Sequence, residues 1–357
     1  MKLSEEQFNK ICRLRDVFIK QVDDRNLFDY QKKFSDRILR VVFENAGETV
    51  VGEWTRQSGK TTVSTDTVAF LLNFYFIICG QLGIKTTRQF NVGFFAPQLQ
   101  QSQSAFFMLK NILRKAKEKM FDLDFDTFNG NTINVRSAKY PIRTVYCMTA
   151  SPTSKQESKT LNLIMFDESQ DLIDKVIDKA IAPMGASTNA NEVWIGVAGY
   201  KKCHFLENIE RSSEFNKIII PYNMVLDEHK ELFNNTGNEI YLNYHKHIEK
   251  RKREIGEDSD EFKTQYMLQW VLERGQFITY EQLMELESDY VTKEEYSRNE
   301  TLYGGIDWGK AYDSSVFTVV DEACKVIEWY EWQGDDYASQ IDEIEILINT
   351  KYHGLKI

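Results

Sequence analysis

The chain has 357 residues, of which 42% are hydrophobic and 27% are charged, as in an ordinary soluble protein with one large domain or two. Its formal net charge of −10 excludes a general nucleic-acid coat protein, because such proteins are basic, so any contact with nucleic acid has to be local. The five cysteines form neither CxxC pairs nor metal-binding spacings with histidine, which indicates reduced thiols in the cytosol.

The first predicted elements are two helices. Ser4 and Gln7 form a capping-box pattern, and apolar residues at helical spacing continue as far as Phe18. Residues 27–31 lead into a second helix that runs through Val42. No signal-peptide pattern precedes these helices.

A strand, a loop and a third helix come next, in the order of a phosphate-binding P-loop. Residues 49–51 are β-branched and apolar, as in a buried strand, and a polar loop then leads into Gly-Lys-Thr-Thr at 59–62. The third helix contains the longest apolar run, residues 68–79, which is too short to cross a bilayer and is typical of a buried core helix.

Gly59, Lys60 and Thr61 carry the chemistry that a nucleotide phosphate requires. Gly59 lets the backbone approach a phosphate, and the helix N-terminus after it offers free N–H groups. Lys60 can reach the β- and γ-phosphates, while the Thr61 hydroxyl can bind Mg²⁺. A full P-loop pattern has glycine where Trp54 stands, so a chance match is the alternative interpretation of this motif alone.

Strands alternate with helices as far as residue 220, which predicts an α/β fold with a mostly parallel sheet covered by helices on both faces. The further strands are predicted at 90–96, 132–135, 143–148, 161–166, 193–197 and 217–220, and the main helix between them at 98–120.

The character of the sequence changes twice after Tyr222. It first becomes helical and charge-rich, and strands then return at 302–307, 316–320 and 325–332, followed by a helix at 337–351 and the start of a strand at 355–357. We therefore expect a P-loop domain at 1–224, a helical linker at 225–300 and a further domain from 301 to 357.

Asp167 and Glu168 supply the acidic half of a P-loop site. They follow four apolar residues that predict a buried strand, and ligands bind at the carboxyl ends of strands in open α/β sheets. Asp167 would hold the Mg²⁺ shell, and Glu168 would orient and deprotonate the attacking water. The alternative is a helix cap at Asp167 for a helix that begins near Gln170.

Four stretches taken together resemble the large terminase subunit of tailed double-stranded DNA viruses. In chain order they are RQSGKTT at 56–62, FAPQLQQ at 95–101, MFDE at 165–168 and GID at 305–307 after the helical linker. The family is an ATP-driven DNA-packaging motor with a C-terminal nuclease of ribonuclease H-like fold. It works as a ring, typically of five subunits, at the portal of an empty capsid.

The resemblance also implies ligands, partners and a location. It implies ATP and Mg²⁺ at the motor site, and double-stranded DNA, the portal protein and the small terminase subunit as partners. The protein would work in the host cell cytoplasm, transiently on the viral procapsid, without contact with a membrane.

The resemblance assigns nucleotide contacts by position. Tyr30 and Gln31 stand where the family has an adenine-contacting motif, so Tyr30 would stack on the base and Gln31 would read its edge; two surface positions of a helix are the alternative. Arg56 is the loop arginine that would sense or stabilise the γ-phosphate. The full set of implied contacts is Tyr30, Gln31, Arg56, Gln57, Ser58, Gly59, Lys60, Thr61 and Thr62.

The sequence leaves two assignments in the motor site undecided, the cation from a neighbouring subunit and the coupling residue. Such motors take a cation from the neighbouring subunit, and Arg143, Lys155 and Lys159 are candidates, with ordinary surface solvation the alternative for each. The coupling segment, residues 197–200, usually carries serine or threonine in the family, whereas here its polar side chain is Tyr200. Either Tyr200 takes that role or coupling runs through backbone contacts.

Asp307 is the predicted nuclease residue. It ends an apolar strand beside glycines, where a turn residue is the alternative, and in a ribonuclease H-like fold it would bind both ions, Mg²⁺ or Mn²⁺, of a two-metal site. Asp313 is a weaker second candidate. The next acid of the family lies on the strand after the long helix, and residues 355–357 contain none, so we expect a truncated nuclease that does not cut DNA.

The leading hypothesis is thus a viral DNA-packaging ATPase with a partial nuclease. A superfamily-2 helicase is one alternative, although residues 225–357 offer no second motor domain with arginine motifs. A nucleotide-binding scaffold without turnover is another, and the intact Lys60, Thr61, Asp167 and Glu168 count against it. The basic run at 246–253 is a local candidate for nucleic-acid contact, but a solvated helix face is the favoured interpretation.

Overall fold

The computed structural model describes residues 2–86, 89–119, 124–128, 130–151, 159–272, 300–309, 314–333, 336–352 and 354–356. The chain divides into two units, Met1–Gln276 and Phe277–Ile357, and the division at 224 and 300 stays a prediction. The predictions for Lys155 and Asp313 fall outside the described residues.

The first unit is built on an eight-stranded sheet. Its strands are β1 Thr49–Trp54, β2 Phe90–Ala96, β3 Asp124–Phe128, β4 Thr132–Arg136, β5 Arg143–Thr149, β6 Leu163–Phe166, β7 Asn191–Gly196 and β8 Lys217–Ile220. The spatial order is β3-β4-β5-β2-β6-β7-β1-β8, with antiparallel pairing only in β3-β4-β5. The predicted mostly parallel sheet is confirmed.

This strand order positions the site. Strand β7 lies between β6 and β1, so the segments that leave these three strands meet at one edge of the sheet. These segments are the P-loop, the Asp167–Glu168 pair and the coupling segment. Carboxyl ends of parallel strands are where ligands bind in such sheets.

Helices cover both faces of the sheet. The helices of the first unit are α1 Glu5–Asp23, α2 Asp29–Glu44, α3 Lys60–Leu82, α4 Leu99–Lys119, α5 Asp174–Val176, α6 His204–Arg211, α7 Tyr222–Thr236, α8 Leu242–Ile255 and α9 Asp260–Phe262. Helices α1 to α4 pack on one face, and α6 with the turns at 169–188 packs on the other. The capping box at Ser4 is present as predicted.

Helix α3 is the central helix of the first face. Within the described chain it is long and apolar enough to cross a membrane, but 78% of its most apolar window is buried inside the protein. Valine, leucine and phenylalanine side chains pack on α1, α2 and α4 from almost all sides of α3. That surrounding identifies it as a core helix, as the sequence predicts.

Helices α7 and α8 pack against the nucleotide-site side of the first unit. The Phe28 ring stacks on His229 of α7 at 4.5 Å. The Tyr244 hydroxyl of α8 lies 3.2 Å from Thr55 Oγ1 and donates to the Arg56 carbonyl at 3.3 Å. These linker helices are therefore fixed to the loop that follows β1.

The second unit has a small antiparallel sheet with one helix. Strands β9 Tyr303–Asp307, β10 Ser314–Val320 and β11 Val326–Gln333 lie in the order β11-β10-β9, and helix α10 spans Tyr337–Thr350. Phe317, Val319 and Ile344 lie in its core. Lys356 pairs in parallel with Tyr303, which agrees with the strand start predicted at 355–357.

Candidate nucleotide-binding site

The loop between β1 and α3 adopts a shape that requires a glycine. Gln57 and Gly59 both have positive φ angles, 60° and 81°. A Cβ on Gly59 would also come within 2.6 Å of Gln31 Nε2. Glycine therefore permits both the backbone conformation and the close approach, and the N-terminus of α3 opens directly after it.

Tyr30 and Gln31 are buried against this loop and form hydrogen bonds to its backbone. Their side chains are only 4% and 3% exposed, so the alternative of two surface positions is wrong. The Tyr30 hydroxyl and the Gln31 amide both donate to the Ser58 carbonyl, at 3.0 and 3.2 Å. The Tyr30 ring already stacks on Phe28 at 5.4 Å. Contact of these residues with a nucleotide base stays a prediction.

Lys60, Thr61, Asp167 and Glu168 converge across the edge of the sheet. The Thr61 hydroxyl donates to Asp167 Oδ2 at 3.0 Å. Lys60 Nζ lies 3.6 Å from Glu168 Oε1. The structure thus brings together the two halves of the site that the sequence separates by about a hundred residues.

The donor set at Asp167 suits Mg²⁺. The Thr61 hydroxyl and the Asp167 carboxylate are hard oxygen ligands of the kind that Mg²⁺ prefers. Burial, and then the neighbouring Glu168, raise the pKa of Asp167 to about 6 against the opposing effect of Lys60 and Thr61. A buried carboxylate with a raised pKa gains most from a cation beside it.

Glu168 is held as a carboxylate. Burial opposes its ionisation, but the Lys60 ammonium, the Gln170 amide and Arg56 outweigh burial and hold the pKa of Glu168 below its usual value. Its backbone is left-handed, with φ 48°, and no helix of regular length begins at this point. The predicted helix near Gln170 is a single turn, Ser169–Asp171.

A cavity of about 510 Å³ lies in front of these residues. Its sheet side is formed by the P-loop residues and Glu168, and its other side by the linker helices. The linker residues that line it are His247, Arg251, Glu261, Gln265 and Tyr266. A nucleotide placed on the P-loop would therefore meet both sides.

The basic run is thus more than a solvated helix face. His247 and Arg251 line the cavity, whereas Lys250 between them has a side chain that is 66% exposed. Burial, and then Arg251, lower the pKa of His247. The sequence carries a signal for this, because residues four apart lie on the same face of a helix.

Solved structures of known function share this architecture. The large terminase of bacteriophage HK97 matches with a TM-score of 0.54 at 14% identity, over 96% of this chain and 71% of that one. An ATPase-domain mutant of the Thermus phage P74-26 large terminase matches with a TM-score of 0.52 at 15% identity, over 72% of this chain and 98% of that one. This chain has the fold of phage large terminases.

The remaining comparisons add no function. The large terminase of the thermophilic bacteriophage D6E, in complex with ADP, matches at 15% identity with a TM-score of 0.48, over 92% of this chain and 76% of that one. No family model matches the chain, and no curated protein matches it.

The structure distinguishes between two of the candidates for a cation donated to a neighbouring subunit, Arg143 and Lys159. Arg143 is buried, and its guanidinium donates to the carbonyls of Leu72 and Pro141 at 2.8 and 2.9 Å, so it cannot reach another subunit. Its assignment as a candidate is wrong, because strand β5 begins with this side chain turned into the core. Lys159 lies 4.5 Å above the Tyr146 ring and stays a candidate.

Tyr200 of the coupling segment contacts the linker. Its hydroxyl lies 3.2 Å from Thr264 Oγ1. Gln265 follows Thr264 in the chain, and its backbone carbonyl accepts a hydrogen bond from the Arg56 backbone N–H at 3.0 Å. Arg56 and Tyr200 also line a second cavity of about 420 Å³ beside the first.

Asp307 ends strand β9 of the second unit, opposite Val316 of β10, and its side chain is exposed. In the described part of the chain, no three His, Cys, Asp or Glu side chains group as a metal site. A role for Asp307 in metal binding stays a prediction.

Proposed function

We propose that this chain is the motor subunit that drives double-stranded viral DNA into a preformed capsid by hydrolysing ATP. The observation that carries the proposal is the convergence of Lys60, Thr61, Asp167 and Glu168 at the edge of a terminase-fold sheet. A nucleotide-binding scaffold has no need for a partly buried Glu168 that Lys60 holds as a carboxylate beside the P-loop.

The residues divide the reaction between them. Lys60 and the free N–H groups at the start of α3 bind the phosphates, and Arg56 approaches the γ-phosphate from the loop. Thr61 and Asp167 would hold Mg²⁺, which, when bound, neutralises phosphate charge. Glu168 accepts a proton from water as the water oxygen bonds to the γ-phosphorus and the bond from that phosphorus to ADP breaks.

The proposed partners follow from the same function. They are double-stranded DNA, the portal protein and the small terminase subunit, with a homo-oligomeric ring, of five subunits, on the procapsid in the host cytoplasm. We also propose that the second unit belongs to a ribonuclease H-like nuclease in which Asp307 binds Mg²⁺ or Mn²⁺. The order of β9 to β11, α10 and the parallel pairing at Lys356 supports this assignment.

The test is steady-state ATP turnover with and without duplex DNA, beside an unwinding assay on a forked duplex. We expect Mg²⁺-dependent turnover that DNA increases and no unwinding. Unwinding would favour a helicase, and ATP binding without turnover under any condition would favour a scaffold.

A further inference from the structure

Gln170 follows Glu168 by two residues, and both the nitrogen and the oxygen of its side-chain amide form hydrogen bonds within the protein. Its Nε2 donates to Glu168 Oε2 and to Asp171 Oδ2, both at 2.9 Å, and its Oε1 accepts the Val197 N–H at 3.2 Å. These partners fix the orientation of the amide, because a flipped amide would set an oxygen against two carboxylates. The side chain is buried.

The same side chain extends the sheet beyond its regular ladder. Strands β6 and β7 pair as far as Trp194, and beyond it side chains replace the backbone partners of β7 on its β6 side, while β1 continues to pair on the other side. Ser169 Oγ accepts the Ile195 N–H at 3.0 Å. Gln170 Oε1 accepts the next N–H on the same side of the strand, that of Val197. At Gly196, between these positions, a Cβ would come within 2.5 Å of Gln170 Oε1.

The N–H that Gln170 accepts belongs to Val197, the first residue of the coupling segment. That segment continues to Tyr200, which contacts Thr264, and the carbonyl of the adjacent Gln265 accepts the Arg56 N–H. One amide therefore links the proton-accepting carboxylate to a segment that leads back to the P-loop. The coupling segment lacks the serine or threonine hydroxyl that the terminase resemblance implies.

We propose that Gln170 is a positioning residue for hydrolysis, which holds the Glu168 carboxylate toward the P-loop and joins it to the coupling segment. Glu168 needs such a partner because its left-handed backbone stands outside any regular helix, and Lys60, 3.6 Å from its carboxylate, would be engaged by the phosphates. This proposal rests on the function proposed above, since it takes Glu168 as the proton acceptor.

The test compares Gln170→Met, which keeps the length of the side chain without its hydrogen bonds, with Gln81→Met at the exposed far end of α3. We expect kcat to fall about 10- to 100-fold with the KM for ATP within about twofold, as for a residue that orients a catalytic group. Gly196→Ala, whose Cβ would meet both Gln170 Oε1 and the Phe205 ring, should lower kcat as well. Gln81→Met should leave both constants unchanged.

A double-mutant cycle separates positioning from a general structural role. If Gln170 acts through Glu168, Gln170→Met should cause no further loss in a Glu168→Gln background. An additive loss, an unchanged kcat in folded Gln170→Met, or a change confined to KM would overturn the proposal. Absence of turnover in the wild-type protein would instead contradict the proposed function. Thermal unfolding of each variant identifies one that fails to fold, in which case Gln170→Asn, with a shorter amide, takes its place.

Discussion

The two walls of the cavity in front of the P-loop, the sheet wall and the linker wall, are built differently. On the sheet wall, Lys60 and Asp167 are buried, and the Thr61–Asp167 and Gln170–Glu168 hydrogen bonds fix the acidic side chains. A buried polar group that loses its partner costs about 1–3 kcal/mol, so this wall has little freedom to rearrange.

On the linker wall, the cation Arg251 is held by partly exposed ion pairs instead. Arg251, whose side chain is 25% exposed, pairs with Glu254 at 2.9 Å and with Glu261 at 3.0 Å. Pairs of this kind are worth about 1 kcal/mol or less, so they can exchange partners at small cost. From this contrast we expect the chemistry on the sheet wall and adjustable nucleotide contact on the linker wall.

The largest effect that would sharpen this contrast is expected from Lys60→Ala. This variant should bind ATP too weakly to detect, because it removes the buried cation that meets the phosphates at the start of α3. Calorimetric titration with ATP measures the loss, with Lys85→Ala, which lies beyond the far end of α3, as the control. Wild-type affinity in Lys60→Ala would mean that the phosphates bind elsewhere.

Glu168→Gln should separate binding from chemistry on the same wall. The variant keeps its shape but loses the proton acceptor, so ATP affinity should be kept while turnover falls at least about 100-fold. Phosphate release under saturating ATP measures the effect, beside the exposed Glu210→Gln. Normal turnover would place the base outside the Asp167–Glu168 pair.

Glu53→Gln tests a buried carboxylate on strand β1 through the pH dependence of stability. Glu53 accepts a hydrogen bond from Trp270 Nε1 at 2.7 Å, and burial raises its pKa to about 7. Because the folded pKa exceeds the unfolded one, the folded protein binds the extra proton, and stability falls as pH rises from about 4.5 through 7.

Removing this titration should stabilise the protein at high pH. At pH 8, the free energy of unfolding of Glu53→Gln should exceed that of wild type by up to about 3 kcal/mol, so the variant should unfold at a higher temperature. This difference in stability should disappear near pH 5. Thermal unfolding at both pH values measures it, with the exposed Glu214→Gln as the control. A gap that does not depend on pH would rule out titration of Glu53.

The smallest effect is expected on the linker wall. Arg251→Ala should raise the KM for ATP by no more than about fivefold and leave kcat unchanged, because a partly exposed cation contributes about 1 kcal/mol or less. Lys250→Ala on the same helix points to solvent and should change neither constant. A large fall in kcat for Arg251→Ala would erase the distinction between the walls.

Local patterns predicted the sheet wall well. The strands Phe90–Ala96 and Lys217–Ile220 have the predicted bounds, because each is a mostly apolar run that a proline follows directly. The P-loop and the Asp167–Glu168 pair lie in short segments whose chemistry depends on neighbours in sequence. Strand β3, Asp124–Phe128, was not predicted, since its alternating aspartates disfavour a strand until Arg136 of β4 pairs with Asp126 at 2.8 Å.

The linker wall could not be predicted in the same way. The positions of His247 and Arg251 depend on how α8 packs on the loop through Tyr244, a contact between residues nearly 190 apart in the chain. The core position of Arg143 likewise depends on a carbonyl of α3 that no local pattern identifies. Tertiary packing decided these assignments, whereas local chemistry decided the others.

The central claim, that ATP binds between the two walls, is tested most directly by hydrogen–deuterium exchange with and without a slowly hydrolysed ATP analogue. The account predicts slower exchange in the P-loop at 56–62 and, with it, in the linker residues 244–266. Slower exchange in the P-loop alone would remove the linker wall from the site, and unchanged exchange in the P-loop at saturating analogue would contradict the account.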